Sequence, residues 1–386
     1  MSVDVVLAGV GGYGATHLNV MRPAIEQGAM RLVGAIDPAG DRAADWADLQ
    51  ARGVPLWKDL DAFWAAGVPA DLIVVATPIQ YHASQTCAAL QRGLPVLCEK
   101  PAAASLSEVR QMMAARDCAG RLAAIGYQWS FSTAMRRLKR DIAEGRFGRP
   151  WRLSAWVAWP RDSAYYGRNG WAGRIRDDAG RLVNDSPVNN ATAHYLHNMF
   201  FVLGLEGLGS AAAPFTLAAD LYRANTIENF DTACLRLTLA DGAEILFFTS
   251  HAVDQGNQPT FRYEFERGTV AYGAQPGGVR ATLADGTVVD YGSPDADATT
   301  RKLMDTLAAV RDNTGETPCS LEAAAMQTRV IDALQQMPVH AFPGAACRTR
   351  ATRPGVTQTC VPGLYDALRQ GFEQGRLLSE LSLPWA

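Results

Sequence analysis

Short apolar runs rich in β-branched residues alternate with amphipathic segments through the first third of the chain. "DVVLAGV" passes into a helical pattern over "GATHLNVMRPAIEQG", followed by "MRLVGAID", a helix, "DLIVVAT", a helix ending near "QRGL", "PVLCEKP", a helix from Ser105, and "RLAAIGY". Strands this uniformly apolar, separated by helices, predict an α/β unit whose parallel sheet is covered on both faces in a doubly wound arrangement. After about Tyr127 the rhythm changes. A basic helix over "TAMRRLKRDIAEGRFG" precedes the strand "WRLSAWVAW", and "FDTACLRLTLADGAEILFFTSHA" predicts a hairpin turning at Asp241-Gly242. "FRYEFERGTVAYG" and "VRATLADGTVVDYG" repeat that style. Two domains follow: residues 1–126, and residues 127–386 as an α+β domain with an open, mostly antiparallel sheet. Residues 340–386 include a stretch rich in Pro, Gly and Thr that reads as an extended arm.

One helix has an unusual polar side. From Ser186 through Leu205 there is no Asp, Glu, Lys or Arg, yet there are three Asn and two His. Ser186 suits an N-cap and Pro187 the first turn. At about 100° per residue, Val188, Thr192, Tyr195, Leu196, Met199 and Leu203 form the core stripe, and Asn190, His194 and His197 share the opposite face. Uncharged hydrogen-bonding groups beside a titrating base suit a cleft that binds hydroxyl groups. No carboxylate or Cys shares that face with the two His, so no metal site is expected.

Composition narrows the class. A chain of 386 residues exceeds one ordinary core, and 48% hydrophobic with 19% charged residues suits globular domains. The net charge of −3 supplies no basic footprint for nucleic acid. No apolar run is long enough for a membrane span, and "VDVVLAGV" begins without a signal-peptide pattern, so a cytoplasmic protein is expected. Seven Cys without a CxxC pair fit reduced thiols.

"GVGGYG", Gly9 to Gly14 with Val10, Gly12 and Tyr13 between the fingerprint positions, has G-x-G-x-x-G spacing after a strand and before a helix. Gly9 permits the tight turn, Gly11 lets backbone approach a pyrophosphate, and Gly14 lets the helix pack close. This makes the first domain a Rossmann dinucleotide-binding unit. Asp37 ends the second strand, where a carboxylate accepts from ribose hydroxyls and repels a 2′-phosphate, so NAD is preferred over NADP.

The order of this fingerprint, the acid Asp37, "ATPIQYH" at Ala76 to His82, and Glu99-Lys100-Pro101 resembles the Gfo/Idh/MocA oxidoreductases over essentially residues 1–335. The resemblance implies that Thr77, Pro78 and His82 line the nicotinamide side, that Glu99 and Lys100 are the family's Glu-Lys pair with Lys100 touching the substrate hydroxyl, and that Gln128 in "GYQWSF" lies in the cofactor or substrate wall. It also makes His194, ten residues before Gly204, the catalytic His, with Asn190 where the family has Asp. Asn orients a neighbouring imidazole but supplies no charge. Asp185 is the carboxylate near enough in sequence to compensate if the helix start folds back.

Between the "GYQWSF" segment and this helix, Trp156, Trp159, Tyr165, Tyr166 and Trp171 alternate with Arg161, Arg168, Arg174 and Arg176. Aromatic faces suit sugar C–H surfaces, and Arg suits a carboxylate or phosphate. Tyr165 to Arg176 therefore reads as a lid, with Tyr166, Trp171, Arg174, Asn190, His194, His197 and Lys100 as the substrate-binding set. Trp151 and Trp156 alternate along a strand and also suit a face buried by a second subunit. The expected activity is NAD-dependent hydride transfer to or from a secondary alcohol of a small-molecule polyol, sugar, cyclitol or derivative, with Lys100, His194 and Asn190 catalytic. A redox-neutral NAD-assisted lyase or hydrolase, and a non-catalytic dinucleotide sensor, are the alternatives. The resemblance implies a homo-oligomer, dimer or tetramer, built through the open sheet.

Overall fold

The computed structural model describes residues 2–204, 209–212, 215–273 and 277–385. Two compact units emerge: residues 1–133, 206–210 and 297–325, and residues 134–205, 211–296 and 326–386. Residues 297–325, assigned from the sequence to the second domain, thus cluster with the first. The reason is visible at Cys319, whose carbonyl accepts from Ile125 N–H at 3.0 Å, and at Leu303 and Leu307, which the helix Ala298–Arg311 buries. Where residues 134–296 leave and rejoin this unit, Thr133 donates its backbone N–H to Asp297 at 3.2 Å and its hydroxyl to the same carboxylate.

The first unit is built on six parallel strands: β1 (Val3–Ala8), β2 (Met30–Ile36), β3 (Leu56–Trp57), β4 (Leu72–Val75), β5 (Val96–Cys98) and β6 (Ala123–Ile125). Their order is β3-β2-β1-β4-β5-β6. The direction of winding reverses between β1 and β4, so the crevice beyond their carboxyl ends is where open α/β sheets bind ligands. β4, β5 and β6 are buried throughout, as strands covered on both faces must be.

The second unit holds a nine-stranded sheet comprising β7 (Pro150–Ala158), β8 (Phe215–Arg223), β9 (Thr232–Leu239), β10 (Glu244–Ser250), β11 (Thr260–Phe265), β12 (Gly268–Tyr272), β13 (Val279–Leu283), β14 (Val288–Gly292) and β15 (His340–Ala341). The order is β14-β13-β12-β11-β7-β10-β9-β8-β15. Pairing is antiparallel except between β7 and β10 and between β8 and β15. The predicted hairpins are present, with Glu244 opposite Thr238 across the Asp241-Gly242 turn.

Strand alternation sends side chains to two faces. On one, Thr249 of β10 meets Thr192 at the start of the polar helix, 3.2 Å between hydroxyls. On the other, Trp156, Cys234, Leu246 and Phe248 pack with Leu364, Leu368 and Phe372 of the helix Leu364–Gln374. Over β7, β9 and β10, the sheet face that the sequence left open for a second subunit is therefore covered by this chain. Trp156 sits there, 5% exposed, with Tyr365 and Phe372 against its ring, while Trp151 is 57% exposed. The expected extended arm is a hairpin of β16 (Arg348–Arg353) and β17 (Val356–Cys360) followed by that covering helix.

Candidate functional site

In the first unit the glycines do what their spacing requires. Gly9 has φ +87°, and a Cβ there would lie 2.8 Å from the Ala76 carbonyl carbon. A Cβ on Gly14 would lie 2.1 Å from Gly9 O, so neither position accepts a side chain, whereas a Cβ on Gly11 would meet nothing within 4 Å. The loop is thus compact toward the protein and open at Gly11. The helix Tyr13–Glu26 starts there with no side-chain cap on its first turn, leaving N–H groups and the positive end of the dipole for an anion. Val10 N–H donates to Asp37 Oδ2 at 3.0 Å and Ala39 N–H to Oδ1 at 2.9 Å, which fixes the carboxylate beside the loop.

At the end of β5, Glu99 is 5% exposed and closely paired with Lys302, itself 1% exposed. His17 Nε2 donates to Glu99 Oε1 at 2.8 Å, and a Cβ on Gly126 would collide with the same carboxylate at 2.8 Å. Burial pushes the Glu99 pKa up, but the Lys302 charge and the His17 hydrogen bond outweigh it and hold the group well below the usual carboxylate range. Burial and Lys302 lower the His17 pKa, so the imidazole is a neutral donor. Tyr13 sets its ring edge against His17, centroids 5.7 Å apart, and donates its hydroxyl to Gln128 Oε1 at 3.0 Å. Tyr13, Glu99 and Gln128 are therefore brought together. Lys100 follows Glu99 and is half-buried. His82 is 1% exposed, its ring nitrogens 2.8 Å from Thr77 O and 2.7 Å from Pro101 O. It ties the Thr77-Pro78 turn to the Lys100-Pro101 segment from within, instead of presenting those nitrogens to a ligand.

In the second unit the polar helix departs from a uniform 100° wheel. Ser186 caps it, its Oγ accepting from Asn189 N–H at 3.2 Å, but Pro187–Ala191 forms a wide π turn before the regular helix Ala193–Leu203. Thr192 offers both its N–H (2.9 Å) and its hydroxyl (2.8 Å) to Pro187 O, which stabilises the wide turn. The extra residue shifts the phase of an evenly wound wheel, and burial separates His197 from Asn190 and His194. Asn190 and His194 are half-buried. His197 is 1% exposed, stacked on Phe201 beside Lys139, and its pKa is pulled down to about 3 by burial and by the Lys139 charge. It is a neutral core residue, which removes it from the substrate-binding set.

The helix start does fold back on Asp185. This carboxylate is 3% exposed, with Oδ1 accepting from Asn190 Nδ2 at 2.8 Å and Oδ2 from Gly173 N–H at 2.6 Å. Tyr166 approaches His251, its hydroxyl 3.4 Å from Nδ1. Trp171 is half-buried beneath the Arg168 guanidinium. Arg174 is different: Asp178 and Glu228 pair with it. Two carboxylates thus already hold the guanidinium expected to grip a substrate anion.

Residues 3–127 match the family model described as the oxidoreductase family with NAD-binding Rossmann fold, GFO_IDH_MocA. The N-terminal domain belongs to the Gfo/Idh/MocA oxidoreductases. Among curated relatives, 1,5-anhydro-D-fructose reductase of Ensifer adhaerens is 40% identical over 21% of this chain and 24% of its own. Inositol 2-dehydrogenase 4 of Saccharopolyspora erythraea is 34% identical over 37% of this chain and 42% of its own. The chain thus spans less than half the length of these two relatives. Among solved structures, the WlbA dehydrogenase of Bordetella pertussis, in complex with NADH and UDP-GlcNAcA, superposes with a TM-score of 0.70 over 87% of this chain and 96% of its own at 22% identity. At that identity the likeness is one of fold.

Within the first unit, sequence reasoning missed His17 and Lys302. His17 stands one helical turn after Tyr13, a spacing visible in advance; Lys302 is 203 residues from Glu99 and carried no local signal. Removing one partner of a buried ion pair costs about 3–5 kcal/mol, so Lys302→Met is expected to lower unfolding stability by that order, and Glu99→Gln in the same chain to restore part of it. Denaturant unfolding measures both; an unchanged midpoint in the single variant would refute the assignment. Because the folded Glu99 pKa is depressed, its contribution is complete above the ordinary value of 4.5 and drains away as pH falls below it. Lys302→Met should flatten that acid limb.

Proposed function

We propose that this protein is an NAD-dependent oxidoreductase that moves a hydride between a secondary alcohol of a sugar, cyclitol or derivative and the nicotinamide. The observation that carries the reading is Lys100, set at the carboxyl end of β5 directly after a carboxylate that His17 and Lys302 immobilise. NAD suits the open Gly11 surface, the uncapped helix start and the oriented Asp37. When bound, it supplies the hydride acceptor or donor at nicotinamide C4.

In the oxidising direction Lys100 Nζ takes the hydroxyl proton as the carbinol carbon gives up hydride, so the substrate leaves as a carbonyl compound. The ammonium so formed stabilises charge on that oxygen. In the second unit, Asp185 orients the Asn190 amide, a hydroxyl-binding group, and His194 is that unit's proton acceptor. The Glu99 cluster fixes the backbone from which Lys100 projects.

The test is absorbance of reduced nicotinamide after mixing protein and NAD with sugars, cyclitols and sugar acids. A substrate-dependent rise supports the reading; NAD binding without any rise would replace it with redox-neutral chemistry. Asp37 sets cofactor choice: like charges placed together cost several kcal/mol, so Asp37→Ser is expected to raise NADP affinity relative to NAD by at least about tenfold. Fluorescence titration with both reduced cofactors measures the ratio, and an unmoved ratio would place the discrimination elsewhere.

A further inference from the structure

We propose that Arg161, Arg168 and Arg353 form an anion-recognition subsite in the second domain that selects substrates bearing a carboxylate or phosphate. This deepens the dehydrogenase reading and rests on it for the claim that the anion is part of the substrate. The three side chains line one solvent-open cavity of about 460 Å³, together with Asp162, Tyr165 and Gln358. The loop after β7 supplies Arg161 and Arg168, and the β16–β17 hairpin supplies Arg353. The hairpin is docked on that loop and its surroundings: Thr357 N–H donates to Ser163 Oγ at 3.0 Å, and Gln358 Nε2 to Val253 O at 3.0 Å.

The charges do not cancel. Asp162 is the cavity's carboxylate; its Oδ1 caps Tyr165 N–H at 2.9 Å and its Oδ2 is 4.0 Å from Arg353. Three guanidinium groups against one carboxylate leave the cavity positive. Arg174 and Arg181 of the same loop are paired with carboxylates, whereas among the described residues Arg161 and Arg168 have no such ion pair. Instead both lie over Tyr165, 4.7 and 3.7 Å from the ring centroid. Stacking occupies a guanidinium's face and leaves its N–H edge for a planar anion. Arg168 spends one edge N–H on Tyr165 O at 2.5 Å, which further fixes its orientation.

A buried neighbour feels the same excess. His251, 2% exposed with its ring 5.5 Å from Tyr165, has its pKa lowered by burial and then by Arg161 and Arg168. Trp159, which precedes the cavity's Pro160 in sequence, packs against Tyr195 of the polar helix of the same domain at 5.9 Å between rings.

Calorimetric titration of the NAD-supplemented protein with D-glucuronate, D-glucose 6-phosphate and D-glucose tests the subsite. At least one of the two acids is expected to bind about tenfold or more tighter than glucose, and whichever does identifies carboxylate or phosphate as the recognised group. The margin is expected to collapse in an Arg168→Gln/Arg353→Gln double variant whose thermal midpoint matches the parent. No binding of either acid, equal binding of all three, or a margin intact in the double variant would overturn the subsite. Nicotinamide absorbance on the same panel separates the two ideas. Turnover without charge preference sinks the subsite and keeps the dehydrogenase, while Arg-dependent binding without turnover of any polyol does the reverse.

Discussion

Replacing Lys100 by Met is expected to cut turnover by roughly 10²–10⁴-fold, the range for removing a positioned proton-transfer group, while NAD affinity changes little. The substitution keeps an unbranched stem and removes the Nζ. Its neighbour Glu99 keeps Lys302 and His17, so the end of β5 stays where it is and the loss reports chemistry, not architecture. Asp37 and the Gly11 surface are untouched as well, which is why cofactor binding should persist. Steady-state nicotinamide absorbance and an NAD titration on the same preparation decide the matter. A fall in NAD affinity as large as the fall in turnover would make Lys100 a cofactor ligand only; full activity would remove it from the reaction.

The second large effect is expected on solubility. Deleting residues 362–386 uncovers Trp156, Leu246, Phe248 and Cys234, which now pack under Leu364, Leu368 and Phe372. A contiguous apolar surface on a sheet is an association hazard, so the truncated chain should aggregate or appear as heterogeneous large species by size-exclusion chromatography with light scattering. The milder Phe372→Ala, which opens a cavity instead of the whole face, should cost about 3–5 kcal/mol while leaving the protein soluble. A deletion variant that stays monodisperse with an unchanged thermal midpoint would show that the covering helix contributes nothing to the core.

Local periodicity explains which parts were legible in advance. The parallel strands, the glycine turn and the hairpin at Asp241-Gly242 each declare themselves within about ten residues, and the structure has them. The polar helix was misjudged at one point because a wheel assumes even winding; Pro187 O accepting twice from Thr192 inserts a wide turn that no periodicity reports. Lys302 was invisible because a buried ion pair across 203 residues leaves no trace in either neighbourhood. The covering helix is another matter. Leu364, Ala367, Leu368, Gly371 and Phe372 have ordinary amphipathic spacing, but the Pro, Gly and Thr content of the preceding hairpin masks it.

The hydrogen-bonded pair of Thr133 and Asp297 has a thermodynamic consequence. Bringing Lys302 to Glu99 means closing a loop of 203 residues, and for a disordered chain the length-dependent part of that cost is about 5 kcal/mol by (3/2)RT ln n. If the intervening residues fold first and present their two ends together, most of that entropy is already spent when the clasp forms. The Rossmann unit then behaves as a host whose last buried charge is neutralised only after its guest has folded. Substitutions deep in the nine-stranded sheet should consequently weaken the nucleotide domain without touching it, through the effective length of a loop.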